Sequence, residues 1–114
     1  MSGITTHVLD TALGCPARGV PVVLQQRNDR NEWQNVGHGE TDSEGRLRTL
    51  TGSATPLSPG IFRLVFDTGR YFDAHGVRCF YPHVIVVFEV ADGDAHYHVP
   101  LLVSPFGYTT YRGS

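Results

Sequence analysis

Cysteine is scarce in this chain: Cys15 and Cys79 are the only two. They allow at most one intramolecular disulfide, which excludes a disulfide-stapled scaffold, and two reduced thiols are expected. Basic charge is scarce as well. Nine Lys and Arg face eleven Asp and Glu, a net charge of −2, and that balance argues against nucleic acid as a partner. No apolar run approaches the roughly 20 residues of a membrane span, so no membrane partner is expected. The opening MSGITTHVLD carries neither a basic stretch nor an apolar one, and the closing YRGS is not a peroxisomal address. A cytoplasmic location without a signal peptide is therefore the expectation. Internal repeats and low-complexity segments are also missing.

What is present reads as one globular domain over residues 1–114, with 40% hydrophobic residues and enough length to bury a core. Turn signals recur at short intervals, at Gly14-Cys15-Pro16, Asn28–Asn31, Asp42–Gly45, 52–60, Ala91–Asp94 and Ser104–Gly107. Between them the sequence predicts eight short strands, near Ile4–Leu9, Val20–Arg27, Trp33–Glu40, Arg46–Thr49, Gly60–Phe66, His83–Val90, Ala95–Val103 and Tyr108–Arg112. That pattern indicates an all-β sandwich of two sheets. One segment departs from it. Asp67 to Gly76 opens on cap residues and stops on a glycine, which predicts a short helix capped at Asp67 or Thr68.

Alternation then assigns faces. Val84, Val86, Phe88 and Val90 share one side of their strand, with Ile85, Val87 and Glu89 opposite. Both sides are apolar enough to predict a central strand or one with a covered outer face. If Val8 is core, His7 points out. If Leu47 is core, Arg46 and Arg48 point out. Tyr97, Val99 and Leu101 form one face of the next-to-last strand, and His96, His98, Pro100 and Leu102 form the other. The histidine face is expected outward, because two buried imidazoles would each need partners. Whether His7, Arg46 and His98 share one sheet is beyond periodicity.

Of the six histidines, His38, His75 and His83 sit in a Gly-flanked turn, near a helix end and after a proline, and read as structural. His7, His96 and His98 are the candidates for general base chemistry near neutral pH. The spacing His96-Tyr97-His98 puts two imidazoles on one strand face. A zinc site needs at least a third protein ligand; His7 could supply it, but no local Cys, Asp or Glu completes the set, so no metal and no cofactor is expected. No serine sits in a nucleophile elbow, and Gly37-His38-Gly39 lacks a phosphate-cradling pattern. Arg46 and Arg112 offer planar, permanently charged recognition of carbonyls and carboxylates.

Three stretches carry a family resemblance: ITTHVLDTALGCPA at 4–17, TDSEGR at 41–46 and HYHVPLLVSPFGYTTYRGS at 96–114. With them the chain resembles, over nearly its whole length, the 5-hydroxyisourate hydrolases, the transthyretin-related enzymes of urate breakdown. The terminal YRGS separates these hydrolases from the transthyretin hormone carriers. The resemblance implies a transthyretin-like β-sandwich of two four-stranded sheets with one short α-helix. It implies a homotetramer, a dimer of dimers with active sites in a channel between subunits. It implies hydrolysis of 5-hydroxyisourate to 2-oxo-4-hydroxy-4-carboxy-5-ureidoimidazoline, without metal or cofactor. Carried over by motif, the catalytic set falls on His7, Arg46 and His98, and substrate binding on Tyr111, Arg112 and Ser114. The alternative is a carrier that binds an aromatic small ligand in the same channel.

Overall fold

The β-rich pattern folds as two antiparallel-dominated sheets around one core. The computed structural model describes residues 3–51 and 57–114. The predicted loop at 52–60 therefore lies partly outside the described residues. In chain order the elements are β1 (Gly3–Asp10), β2 (Cys15–Pro16), β3 (Pro21–Arg27), β4 (Trp33–Glu40), β5 (Arg46–Leu47), β6 (Gly60–Phe66), α1 (Thr68–Ala74), β7 (Val84–Val90), β8 (His96–Ser104) and β9 (Gly107–Thr110). All eight expected strands and the helix are present.

The strand count per sheet corrects the expectation of two four-stranded sheets. One sheet has four strands in the order β4-β3-β6-β7. The other has five, in the order β2-β1-β8-β9 with β5 also on β1. The added strand is the Cys15–Pro16 segment, read from sequence as part of a turn. It pairs with β1 through Leu9 opposite Pro16 and Asp10 opposite Cys15. Two residues are too few to show alternation, so a tight return onto the sheet edge looks like a turn. His38 lies in β4 opposite Val23, as the strand expected at Trp33–Glu40 has it, although its flanking glycines read as a turn.

Alternation held where it was applied. Ile4, Val8, Leu101 and Val84 are buried, and so are Leu47, Tyr97 and Val99. Strand β7 is the exception to its expected placement. It is an edge strand, and Ile85 and Val87 on its outer side are 47% and 56% exposed. A two-sided apolar pattern fits a central strand. Here the apolar outer side is bare in the single chain, which matters below.

The helix forms as its ends predict. The Asp67 carboxylate caps it by accepting from the Arg70 N–H at 3.1 Å, and the chain leaves it through Gly76 at φ 66°. Its inner face buries Thr68, Tyr71 and Phe72. Tyr71 donates its hydroxyl to Asp10 Oδ2 at 2.7 Å. The other Asp10 oxygen accepts from the N–H groups of Ala12 and Leu13, both at 3.0 Å. Burial, with Asp10 beside it, pushes the Tyr71 phenol well above its ordinary pKa. This one carboxylate ties the helix to the end of β1. No helix among the described residues is long and apolar enough to cross a membrane.

Tyr71→Phe removes one charge-assisted hydrogen bond from a carboxylate only 2% exposed. The expected loss is about 2 kcal/mol of unfolding free energy, read as a lower denaturant midpoint at unchanged slope. An unshifted midpoint would mean the bond contributes no net stability.

Candidate active site

Three strands of the larger sheet bring the candidate residues together. β1 pairs in parallel with β8, setting Thr5 opposite His98 and His7 opposite Pro100. On its other edge β1 pairs with β5, which sets His7 directly opposite Arg46. Since side chains alternate across a strand, Thr5, His7, Arg46, His96 and His98 all project from the outer face. The structure thus puts His7, Arg46 and His98 on one sheet and one side of it.

Arg46 is delivered by a tight turn. The Asp42 carboxylate accepts from the N–H groups of Glu44 at 2.8 Å and Arg46 at 2.9 Å. These two bonds, Arg46 first, hold the carboxyl below its ordinary pKa. Gly45 completes the turn at φ 76°, and a side chain there would run into the Val8 carbonyl. The same turn aims the Glu44 carbonyl at His7. His7 Nε2 lies 2.8 Å from that oxygen. A carbonyl only accepts, so Nε2 carries the proton and donates. In a neutral ring this leaves Nδ1 as the free lone pair.

His98 is held from the opposite nitrogen. Its Nδ1 is 2.8 Å from Thr5 Oγ1, and the same hydroxyl is 3.1 Å from His96 Nε2. The two rings stack with centroids 6.5 Å apart. His98 Nε2 is left facing outward. Burial lowers the His98 pKa below its ordinary value, and the Arg46 charge, His7 and His96 act the same way. The imidazole is therefore neutral at pH 7 and available as a base. No group of three His, Cys, Asp or Glu side chains among the described residues comes together in a way that could hold a metal ion.

The tail divides. Gly113 bridges to His98, its N–H donating to the His98 carbonyl at 2.8 Å. A Cβ on residue 113 would sit 2.7 Å from His98 Cδ2 and 3.2 Å from Pro100 Cγ, so only glycine lets the tail lie against the ring. Arg112 points to the other side of β8, its guanidinium 4.6 Å from the centroid of the Tyr97 ring. Tyr111 is 57% exposed. With Arg112, Val86, Phe88, Glu89 and Tyr97 it borders a cleft of about 230 Å³ between the β7 and β9 edges. Ser114 is exposed, one residue beyond the His98 bridge. The single chain thus does not bring Arg112 to the histidine face. Sequence reasoning passed over Thr5 and the Glu44 carbonyl. Thr5 was legible in principle, two positions before His7 on the same face. A backbone carbonyl leaves no trace in a sequence.

A histidine-resolved NMR titration tests this electrostatic picture. His98 is expected to titrate below 6.5, and Arg46→Gln to move its midpoint upward. A wild-type midpoint at or above 6.5 would mean the ring is well hydrated and the picture wrong.

The comparisons with known proteins concern the family and the fold. The sequence profile of the HIUase/Transthyretin family matches residues 4–113. The 5-hydroxyisourate hydrolase of Caulobacter vibrioides is 46% identical over 118 aligned positions covering 100% of both chains. The Klebsiella pneumoniae 5-hydroxyisourate hydrolase structure superposes with a TM-score of 0.86 at 34% identity, covering 100% of each chain. Transthyretin from Sparus aurata gives a TM-score of 0.91 at 31% identity, covering 99% of this chain and 97% of its own. On the profile match and these identities, the chain belongs to the HIUase/Transthyretin family.

Proposed function

We propose that this protein hydrolyses 5-hydroxyisourate to 2-oxo-4-hydroxy-4-carboxy-5-ureidoimidazoline, a step of urate degradation. The observation that carries the reading is the outward-facing set of His7, Arg46 and His98 on one sheet, in a chain whose named relatives are 5-hydroxyisourate hydrolases at 40–46% identity. The reaction adds water to an amide-type carbonyl and breaks the adjacent ring C–N bond. It asks for a base, an oriented water and positive charge where the oxyanion develops.

The two imidazoles divide those tasks by their free nitrogens. Water has two hydrogens. His98 Nε2 takes one as a proton, and the His7 Nδ1 lone pair accepts the other in a hydrogen bond that orients the oxygen. Arg46 binds the substrate oxygens and stabilises the negative charge left on the attacked carbonyl. Its charge is permanent, so the field is in place before the bond forms. The protonated His98 then supplies a proton to the leaving ring nitrogen. The scheme uses side chains alone.

An open sheet face is a poor container for a small polar substrate, since ligand sites are concave. A second wall comes from another copy of the chain, and we place the site in a channel of a homotetramer, a dimer of dimers. The bare apolar side of β7 supports assembly, because exposed edge strands with apolar side chains favour pairing with a further chain. In the tetramer Tyr111, Arg112 and Ser114 bound and anchor the substrate, Arg112 by steadying the tail on Tyr97. The carrier reading rests on the likeness to transthyretins. The polar set at His7, Arg46 and His98 suits a ureide better than an apolar ligand, and a thyroxine titration discriminates the two.

The primary test follows the ultraviolet decay of freshly made 5-hydroxyisourate with and without protein. Acceleration is expected, and a rate equal to the spontaneous one would defeat the proposal. His98→Ala is expected to lose about a hundredfold or more in kcat with assembly intact, the range for a general base. Dialysis against a strong chelator is expected to leave the rate unchanged. Loss of activity restored by zinc would overturn the side-chain-only scheme.

A further inference from the structure

Thr5 lies between two imidazoles. Its Oγ1 is 2.8 Å from His98 Nδ1 and 3.1 Å from His96 Nε2. A hydroxyl has one proton, so at most one of the two rings can receive it. If Thr5 donates to His98, then Nδ1 is the bare nitrogen and Nε2 holds the ring proton. The outward nitrogen is then a donor and has no lone pair for water. If instead His98 donates from Nδ1 to Thr5, Nε2 is the bare nitrogen, and the Thr5 proton is free to go on to His96. Only the second direction makes His98 a base at the nitrogen that faces outward.

We propose that Thr5, with His96 behind it, is the positioning device that holds His98 in the Nδ1–H tautomer. The bond order runs from His98 Nδ1–H to Thr5 Oγ1, and from Thr5 Oγ1–H to His96 Nε2. His96 then carries its own ring proton on Nδ1. Thr5 touches no reacting atom, so its role is to decide which nitrogen of His98 is offered. The proposed base role requires this direction, since only a ring protonated on Nδ1 keeps a lone pair on Nε2. The contact to His98 is the shorter of the two, and His98 is half-buried while His96 is exposed. Exposed His96 can find a partner for its second nitrogen in water, whereas half-buried His98 depends on Thr5. The backbone makes the arrangement rigid. Thr5 and His98 are register partners in the parallel ladder, and Gly113 closes over the far side of the ring. His7 needs no such device, because its Glu44 carbonyl partner can only accept.

The inference rests on the proposed hydrolysis for its kinetic consequence but not for its spectroscopic one. Nitrogen-15 NMR of the imidazoles at neutral pH, in protein without substrate, distinguishes a protonated ring nitrogen from a bare one. His98 is expected to show its proton on Nδ1 in the wild-type protein and in Thr5→Ser. It is expected to shift toward Nε2–H in Thr5→Val, which keeps the side-chain shape and removes the hydroxyl. Valine suits a strand, so the fold should persist. On 5-hydroxyisourate, Thr5→Val is expected to lose roughly ten- to a hundredfold in kcat, as when a partner that orients an imidazole is removed. KM should stay within about twofold, and Thr5→Ser should restore the rate. A wild-type His98 protonated on Nε2, or a Thr5→Val protein with unchanged tautomer or unchanged kcat, would overturn the proposal. If the wild-type protein proves inactive on 5-hydroxyisourate, the substrate reading fails, and the tautomer assignment is still decided by the spectrum.

Discussion

The parallel ladder between β1 and β8 is the constraint on which the rest of the molecule depends. It pairs Gly3 with His96 at one end and Asp10 with Val103 at the other, joining two strands from opposite ends of the sequence. Both strands alternate apolar and polar residues, and the ladder holds them in phase. Ile4, Val8, Tyr97, Val99 and Leu101 all face the core, which sends Thr5, His7, His96 and His98 outward together. Slipping either strand by one residue would exchange the faces, burying imidazoles and exposing valine and leucine. Thr6 adds a polar check on the register. It is fully buried, and its hydroxyl is satisfied by the Val99 carbonyl at 2.6 Å, an acceptor it meets through its own register partner. The packing of the core and the assembly of the site are thus one event.

Electrostatics on that face point in a single direction. Burial disfavours the His98 imidazolium, and Arg46, His7, His96 and Arg48 all oppose its protonation. Burial penalises charge of either sign, but the positive charge of Arg46 that opposes the imidazolium also stabilises negative charge forming next to it. This is the physical link between a lowered imidazole pKa and an oxyanion chemistry, and it does not depend on which small molecule occupies the face. It also explains why the site tolerates being built on the outside of a sheet. Arg46, His7 and His98 stay partly exposed in the single chain and His96 exposed, and no buried side-chain polar atom among the described residues lacks a hydrogen-bond partner.

Most of the scaffold was readable because its signals are local. Strand period, the cap at Asp67 and the stop at Gly76 each live within a few residues. The faces of His7 and Arg46 followed from Val8 and Leu47 being core, and that of His98 from the cost of burying two imidazoles. Their meeting on one sheet did not follow, since register between distant strands is a tertiary property. The same limit explains the edge position of β7. Its two-sided apolar pattern reports that both faces want covering but not that one of them is left bare in the single chain. Two-residue strands such as β2 carry too little sequence to be seen. Family resemblance supplied the identities of Tyr111, Arg112 and Ser114, which no pattern in the chain distinguishes from ordinary tail residues.

That tail joins the two sides of β8 into one unit. Gly113 takes up the register that pairs Leu101 with Thr110 and continues it to His98. One residue earlier, Arg112 lies on the Tyr97 ring, and the Tyr97 hydroxyl in turn bonds to the backbone of Asp92, accepting from its N–H and donating to its carbonyl, both at 3.1 Å. The chain from the Asp92 turn through Tyr97 and Arg112 to Gly113 therefore ends at the His98 ring. Loosening Tyr97 in the interior would free Arg112, and with it the backbone that lies on His98. The position of the imidazole is then set at two places, by the Thr5 hydroxyl at Nδ1 and by the tail along Cγ and Cδ2, through a glycine that can approach because it has no side chain.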